Sequence, residues 1–147
     1  MKDLQWGEPV KGWRLSLSLD KTSFATEEPV LATIVFQNVS NREQTLGGHG
    51  RDFDYTLDCK TDYGEKVPLT LFGKMMLANR EIVKTTGGVL QPKEQIVVEV
   101  SISHHLDLSL PGKYRLYVSR QADASASGGP DEPFIASNMI EFKIEEK

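Results

Sequence analysis

The sequence has a single cysteine, no long apolar run and no cluster of basic residues, and each absence excludes a class of protein. Cys59 alone cannot form a disulfide within the chain. No segment approaches the roughly 20 apolar residues of a transmembrane helix, so membrane insertion is not expected. Lysine and arginine occur singly, and 17 basic against 21 acidic residues give a net charge of −4. Nucleic-acid binding needs a clustered basic face, so nucleic acid is not expected as a partner.

The motifs of common catalytic chemistries are also missing. There is no Gly-x-Ser-x-Gly elbow for a nucleophilic serine and no Gly-x-Gly-x-x-Gly loop for a phosphate. Paired carboxylates such as Glu27-Glu28 and Glu145-Glu146 fall in turns or at a terminus, where solvated charge is the simpler explanation. We therefore expect no enzyme activity, no catalytic residues and no cofactor.

Short alternating apolar and polar runs, separated by turn residues, predict the fold. After Pro111-Gly112, the side chains of Tyr114, Leu116 and Val118 share one face of a strand. A tyrosine just after such a turn is typical of the tyrosine corner of immunoglobulin-like sandwiches. The pattern predicts an all-β, immunoglobulin-like antiparallel β-sandwich of seven to eight strands. The predicted strands are Trp13–Leu19, Val30–Asn38, Gln44–Leu46, Phe53–Cys59, Val67–Leu71, Ile96–Ile102, Tyr114–Val118 and Ile140–Ile144.

The chain is expected to form one domain, 1–147, with a lead-in at 1–12 and a mobile loop at 121–136 before the last strand. The second strand carries apolar residues on both faces, which indicates a central position. Thr61–Glu65 is predicted to be a hairpin turn, with Gly64 at positive φ. Gly87-Gly88 is interpreted as a break between elements. Within Leu71–Val83, Lys74–Arg80 has the composition of one helical turn.

Two clusters that contain histidine are candidate metal sites. His49, Asp52 and Asp54 follow a glycine pair, but no second histidine or cysteine follows at a ligand spacing. His104 and His105 are adjacent, and adjacent side chains on an extended strand point to opposite faces. Asp107 and Ser109 are expected to shape the turn before Pro111-Gly112. The sequence therefore favours no metal site.

The aromatic residues do not predict a sugar-binding platform. Trp6, Trp13, Tyr63 and Tyr117 raise the question of sugar stacking. Trp13 is in phase with Leu15, Leu17 and Leu19, so it is expected in the core. Tyr117 lies on the polar face of its strand, but one exposed tyrosine does not make a platform.

Two further residues have simple structural explanations. Asn38-Val39-Ser40 has the form of a glycosylation acceptor, but we interpret Asn38 as a strand cap and Ser40 as a turn residue. Cys59 is expected to be a small buried hydrophobic residue rather than a reactive thiol.

One apolar stretch has no obvious strand partner. It contains Leu71, Phe72, Met75, Met76 and Leu77, and we expect it to be buried as a cap on one end of the sandwich. If it is instead exposed, it is a natural protein-binding patch, because methionine adapts to varied partners. A binding surface is otherwise expected on three loops, at Gly47–Asp52, Phe72–Thr86 and Gln121–Pro133.

Several segments together resemble bacterial immunoglobulin-like accessory domains and the BsuPI-type intracellular proteinase inhibitor fold. They are Trp6-Gly7-Glu8-Pro9-Val10, Lys21-Thr22-Ser23-Phe24, Glu28-Pro29-Val30, Asn38-Val39-Ser40-Asn41, Asp52-Phe53-Asp54, Pro111-Gly112-Lys113-Tyr114 and Ser137-Asn138-Met139-Ile140-Glu141-Phe142. The resemblance implies a non-catalytic binding or spacer domain that mediates protein–protein interaction in a bacterial protein. Its alternatives are a proteinase inhibitor and a carbohydrate- or metal-binding module, although no inhibitory loop matches by residue. An extracytoplasmic location is favoured over a cytoplasmic one, and the start of the sequence lacks the apolar core of a signal peptide.

Overall fold

The protein is an all-β sandwich, which confirms the predicted fold class. The computed structural model describes residues 4–48, 56–78, 86–121 and 134–146. These residues form ten strands and two short helices. The strands are β1 (Trp13–Leu19), β2 (Ser23–Ala25), β3 (Leu31–Asn38), β4 (Gln44–Gly48), β5 (Thr56–Thr61), β6 (Thr86–Leu90), β7 (Gln95–Ser101), β8 (Gly112–Gln121), β9 (Phe134–Ala136) and β10 (Ile140–Glu145); the helices are α1 (Leu71–Ala78) and α2 (Ile102–His105).

The strands form two main sheets and a separate two-stranded ribbon. The first sheet has the antiparallel order β1-β3-β7, with β3 in the predicted central position. The second has the order β2-β10-β8-β5, with β9 also paired to β8. All its pairs are antiparallel except that of β2 with β10. Strands β4 and β6 pair with each other.

The core is built from alternate residues of facing strands, as the period-2 pattern requires. Trp13 is buried, as predicted, and stacks on Phe36 of β3 with 4.6 Å between ring centroids. From the second sheet, Tyr114 stacks on Phe142 at 5.4 Å. Alternation continues to the end of β8, where the buried Arg120 guanidinium lies 4.5 Å from the centre of the Phe36 ring.

Two polar side chains tie the turns to the sheets. The Tyr114 hydroxyl donates a hydrogen bond to the Leu110 carbonyl, which is the predicted tyrosine corner. Asn38 is fully buried and caps β3: its amide nitrogen donates to the carbonyls of Arg42 and Leu90, both at 2.9 Å. Its amide oxygen accepts from the Ser40 backbone N–H at 2.9 Å. The interpretation of Asn38 as a cap is confirmed, and with both N–H groups engaged in the interior the amide is inaccessible to glycosylation in the folded domain.

The predicted strand at Val67–Leu71 is wrong. Residues 66 and 69 make only isolated bridges, to Lys60 and Leu106. Pro68 lacks the N–H that a ladder needs, and the chain enters α1 at Leu71, three residues before the predicted helical turn at Lys74. Ile102 is likewise not a strand residue but the first residue of α2.

Short strands account for most of the remaining differences. Gly87 and Gly88 lie within β6 rather than breaking the chain. Phe134–Ala136 is a strand and not part of the predicted loop at 121–136, and Gln121 ends β8. β2 and β9 have three residues each, too few to show a period, and the glycine pair concealed β6. With these three strands added and Val67–Leu71 removed, the described residues form ten strands where seven to eight were predicted. Among the described residues, no helix is long and apolar enough to span a membrane.

Candidate functional site

A short helix is docked on one end of the sandwich through a glycine. Gly73 of α1 is buried, and a Cβ at this position would lie 2.3 Å from the His105 carbonyl oxygen of α2. Thr70 caps the helix, since its hydroxyl accepts from the Gly73 N–H at 3.0 Å. The Thr70 N–H also donates to the His105 carbonyl at 2.9 Å. The close approach of the two backbones therefore fixes which side of α1 faces away from the sandwich.

The two histidines of α2 lie against this helix and differ in burial. His105 is buried, and its Nδ1 lies 3.0 Å from the Ser101 carbonyl, so Nδ1 is the protonated nitrogen. His104 is exposed. The Phe72 ring meets both imidazoles edge-on, with centroid distances of 6.1 Å to His104 and 5.0 Å to His105. The prediction that these histidines cannot grip one ion rested on an extended strand, whereas the structure places them in a helical turn.

The outer side of α1 is exposed and carries three apolar side chains together with Lys74. Leu71 is 76%, Met75 53% and Phe72 42% exposed. These three residues are called the α1 surface below. The expectation that this stretch is a buried cap is therefore wrong for them, and the alternative, an exposed apolar patch, applies. The period-2 pattern of the sequence does not distinguish burial of this stretch from exposure, because the docking of α1 on the sandwich depends on Gly73.

An acidic groove adjoins the two helices. It has a volume of about 340 Å³, and its lining includes Glu27, Glu28, His104 and Asp107. Lys21 pairs with Glu28, and this hydrogen bond lowers the pKa of the Glu28 carboxyl. The Ser109 hydroxyl and N–H, at 2.6 and 3.1 Å, lower the pKa of Asp107. Both carboxylates are therefore ionised at neutral pH.

A second groove, called the tyrosine groove below, lies on the outer face of the five-stranded sheet. Its volume is about 440 Å³, and Tyr63, Tyr117, Asp58 and Arg115 are among the residues that line it. The Tyr117 hydroxyl donates to Asp58 Oδ2 at 3.0 Å, and this bond raises the pKa of Tyr117. Both tyrosines are candidates from the sequence, but the sequence does not show that they lie close together. They are 54 positions apart, and only the pairing of β5 with β8 brings them together.

The remaining sequence candidates do not form a site. His49, Asp52 and Asp54 lie outside the described residues. Within the described ranges there is no group of three or more His, Cys, Asp or Glu side chains that could hold a metal ion. Cys59 is buried as predicted, and burial, with the nearby Asp58 charge, raises the pKa of its thiol to about 12.

The three loops proposed as a binding surface are only partly described. In the first, Gly47 and Gly48 belong to β4, and the rest, up to Asp52, lies outside the described residues. In the second, residues 72–78 form most of α1 and Thr86 begins β6. In the third, only Gln121 is described. Of the three loops, the helical part of the second is therefore the main part that the structure describes.

Comparison with known proteins adds little to the geometry. No known family matches the chain, and no curated protein matches it in sequence. Among solved structures, it is similar to a β-glucosidase from Listeria innocua in complex with isofagomine, with 12% identity and a TM-score of 0.48. A mutant of that enzyme in complex with laminaribiose gives 11% identity and a TM-score of 0.45. The match to the first covers 92% of this chain and the chain spans 16% of the enzyme's length. A similarity this low carries no argument about function.

Proposed function

We propose that the protein is a non-catalytic binding domain whose α1 surface docks on a protein partner. The partner segment carries apolar side chains flanked by lysine or arginine. The exposed apolar side of α1 is the observation that carries the proposal, and the acidic groove beside it supplies the charge. No observation on the described residues favours the proteinase-inhibitor alternative.

The apolar part of the proposal follows from the cost of exposure. A leucine, a phenylalanine and a methionine on one helix face lose favourable burial while they remain in water, and docking recovers it. The helix is held by Gly73 and capped by Thr70, so the side chains are presented on a fixed backbone. A preformed surface binds at a lower entropic cost than one that must first become ordered.

The negative charge of the acidic groove favours a partner segment with lysine or arginine. The groove contributes Glu27 and Asp107, and the whole chain has a net charge of −4. A partner with flanking positive charges is attracted, and an acidic one is repelled. Like other exposed charge pairs, these contacts should weaken as salt is added.

A displayed peptide library, selected against the native domain, tests this proposal. We expect enriched peptides to contain Leu, Met or Phe next to Lys or Arg, and to lose binding by about tenfold or more with Met75→Asp, as at an interface hot spot. Val97→Asp is the matched control, since Val97 is 58% exposed on β7 of the other sheet. Replacement of Glu27 and Asp107 by Gln and Asn should remove the preference for basic peptides. If the enriched peptides bind the Met75→Asp variant as tightly as the native domain, the α1 surface is not the docking site.

A further inference from the structure

We propose that the tyrosine groove is a second binding site and that its ligand is an uncharged saccharide chain. The groove lies on the outer face of β5 and β8, and its lining residues do not include Leu71, Phe72 or Met75 of the α1 surface. The proposal is therefore independent of the protein-binding function and can fail or hold separately from it.

The first tyrosine is presented by a fixed turn. Tyr63 is 89% exposed. Its turn is closed by a hydrogen bond from the Gly64 N–H to the Thr61 carbonyl at 2.9 Å and by one from the Thr61 N–H to the Glu65 carbonyl at 2.8 Å. Gly64 takes a φ of 84°, which favours glycine. The aromatic side chain therefore projects from a backbone that needs no ordering when a ligand arrives.

The second tyrosine comes from the sheet itself. Tyr117 lies opposite Asp58 in the pairing of β8 with β5, and its hydroxyl is held by that carboxylate at 3.0 Å. Its side chain is half-buried. Tyr63 and Tyr117 thus contribute two aromatic rings to one groove, one from the turn and one from the sheet. Such rings have an apolar face for the C–H face of a pyranose and a polar tip for its hydroxyl groups.

The polar lining matches an uncharged ligand with many hydroxyl groups. Asp58 and Asp62 balance Lys60 and Arg115 in formal charge. An anion or nucleic-acid site would need a positive surplus. Carboxylates accept hydrogen bonds, Lys and Arg donate them, and a hydroxyl group does both. The volume of about 440 Å³ lies in the range of small-molecule sites, about 300–1,000 Å³.

From the sequence, a sugar site is not expected, because Tyr117 is the one exposed tyrosine on its strand face. In the structure, Tyr63 lines the same groove from the hairpin turn. Arg115 adds a donor: it lies opposite Lys60 in one strand pair and opposite Glu141 in the other, and its Nε is 3.2 Å from a Glu141 carboxylate oxygen. Its side chain remains 54% exposed and accessible to a ligand.

The test is an NMR titration of the ¹⁵N-labelled full chain with cellopentaose, maltopentaose and chitopentaose in turn. We expect at least one of the three to give saturable shifts of the backbone amides at 58–64 and 115–117. Tyr63→Ala and Tyr117→Ala should each weaken that binding by about tenfold or more. Val97→Ala, an exposed apolar residue on the other sheet, should leave it unchanged, as should Met75→Asp on the α1 surface.

Two results would overturn the proposal. One is the absence of saturable shifts with all three oligosaccharides up to about 10 mM, where even weak specific binding is visible. The other is binding that persists in the variant lacking both tyrosine rings. Because Tyr63 is 89% exposed, its replacement leaves the core intact, and loss of binding in Tyr63→Ala cannot be attributed to unfolding.

Discussion

Single polar side chains hold the ends of this sandwich together, and Asn38 is the clearest case. Besides its three bonds to backbone groups, its amide oxygen accepts from the Ser40 hydroxyl at 2.7 Å and from Gln44 Nε2 at 3.2 Å. The side chain therefore joins the end of β3 to the following turn, to β4 and to Leu90 at the end of β6. A buried amide in this position is favourable only because all its partners are in place.

Replacement of Asn38 by alanine should lower the free energy of unfolding by about 3 kcal/mol, because it leaves buried carbonyl and N–H groups without partners. Urea unfolding at neutral pH measures this change. Asn41→Ala is the control, since Asn41 is exposed in the same turn and its loss should cost no more than about 0.5 kcal/mol. Equal losses of unfolding free energy in the two variants would show that the hydrogen bonds of buried Asn38 are not what stabilises this turn.

At the scale of elements, the sequence predicts the long strands well and the short elements poorly. β1, β3, β7 and β10 each have at least six residues, enough for the period of two to appear. β2 and β9 have three residues each, too few to show a period, and β2 pairs with β10 at the other end of the chain. The sequence likewise predicts the tyrosine corner, because a Pro-Gly turn and a tyrosine at a fixed offset are local features.

The candidate sites depend on contacts that a sequence pattern does not show. The exposed side of α1 is decided by the close approach of Gly73 to His105, 32 residues away. The expectation of a buried cap rests on the apolar composition of this stretch. It is wrong for Leu71, Phe72 and Met75 because the helix packs on the sandwich through Gly73, which turns these side chains outward. In the same way, the turn tyrosine and the strand tyrosine become one groove only when β5 pairs with β8.

Gly73→Ala tests how α1 is held. In a free helix this substitution stabilises by up to about 1 kcal/mol. Here the new Cβ would lie 2.3 Å from the His105 carbonyl oxygen, so we expect a loss of about 2 kcal/mol, typical of overpacking. Faster amide hydrogen exchange at 71–78 should accompany it. Lys74→Ala, on the exposed side of the same helix, should leave the free energy of unfolding and the amide exchange rates near those of the wild type. A Gly73→Ala variant that is more stable than the wild type would refute the docking geometry.

At the scale of the whole molecule, the sandwich presents two different surfaces. One end offers the apolar α1 surface beside an acidic groove, and the outer face of the larger sheet offers a groove of balanced charge with two tyrosines. The proposed binding role rests on these two surfaces. That role needs both surfaces to be exposed in the native state.

The most direct test of this account is the stability of Met75→Asp in urea. With Met75 53% exposed, the change should lower the free energy of unfolding by no more than about 1 kcal/mol, mostly through the lower helix propensity of Asp. Met75→Gln, which keeps the length of the side chain but makes it polar, should be closer still to the wild type because Gln has a higher helix propensity than Asp. A loss above about 3 kcal/mol for Met75→Asp would place this side chain in the core and contradict the proposed docking surface.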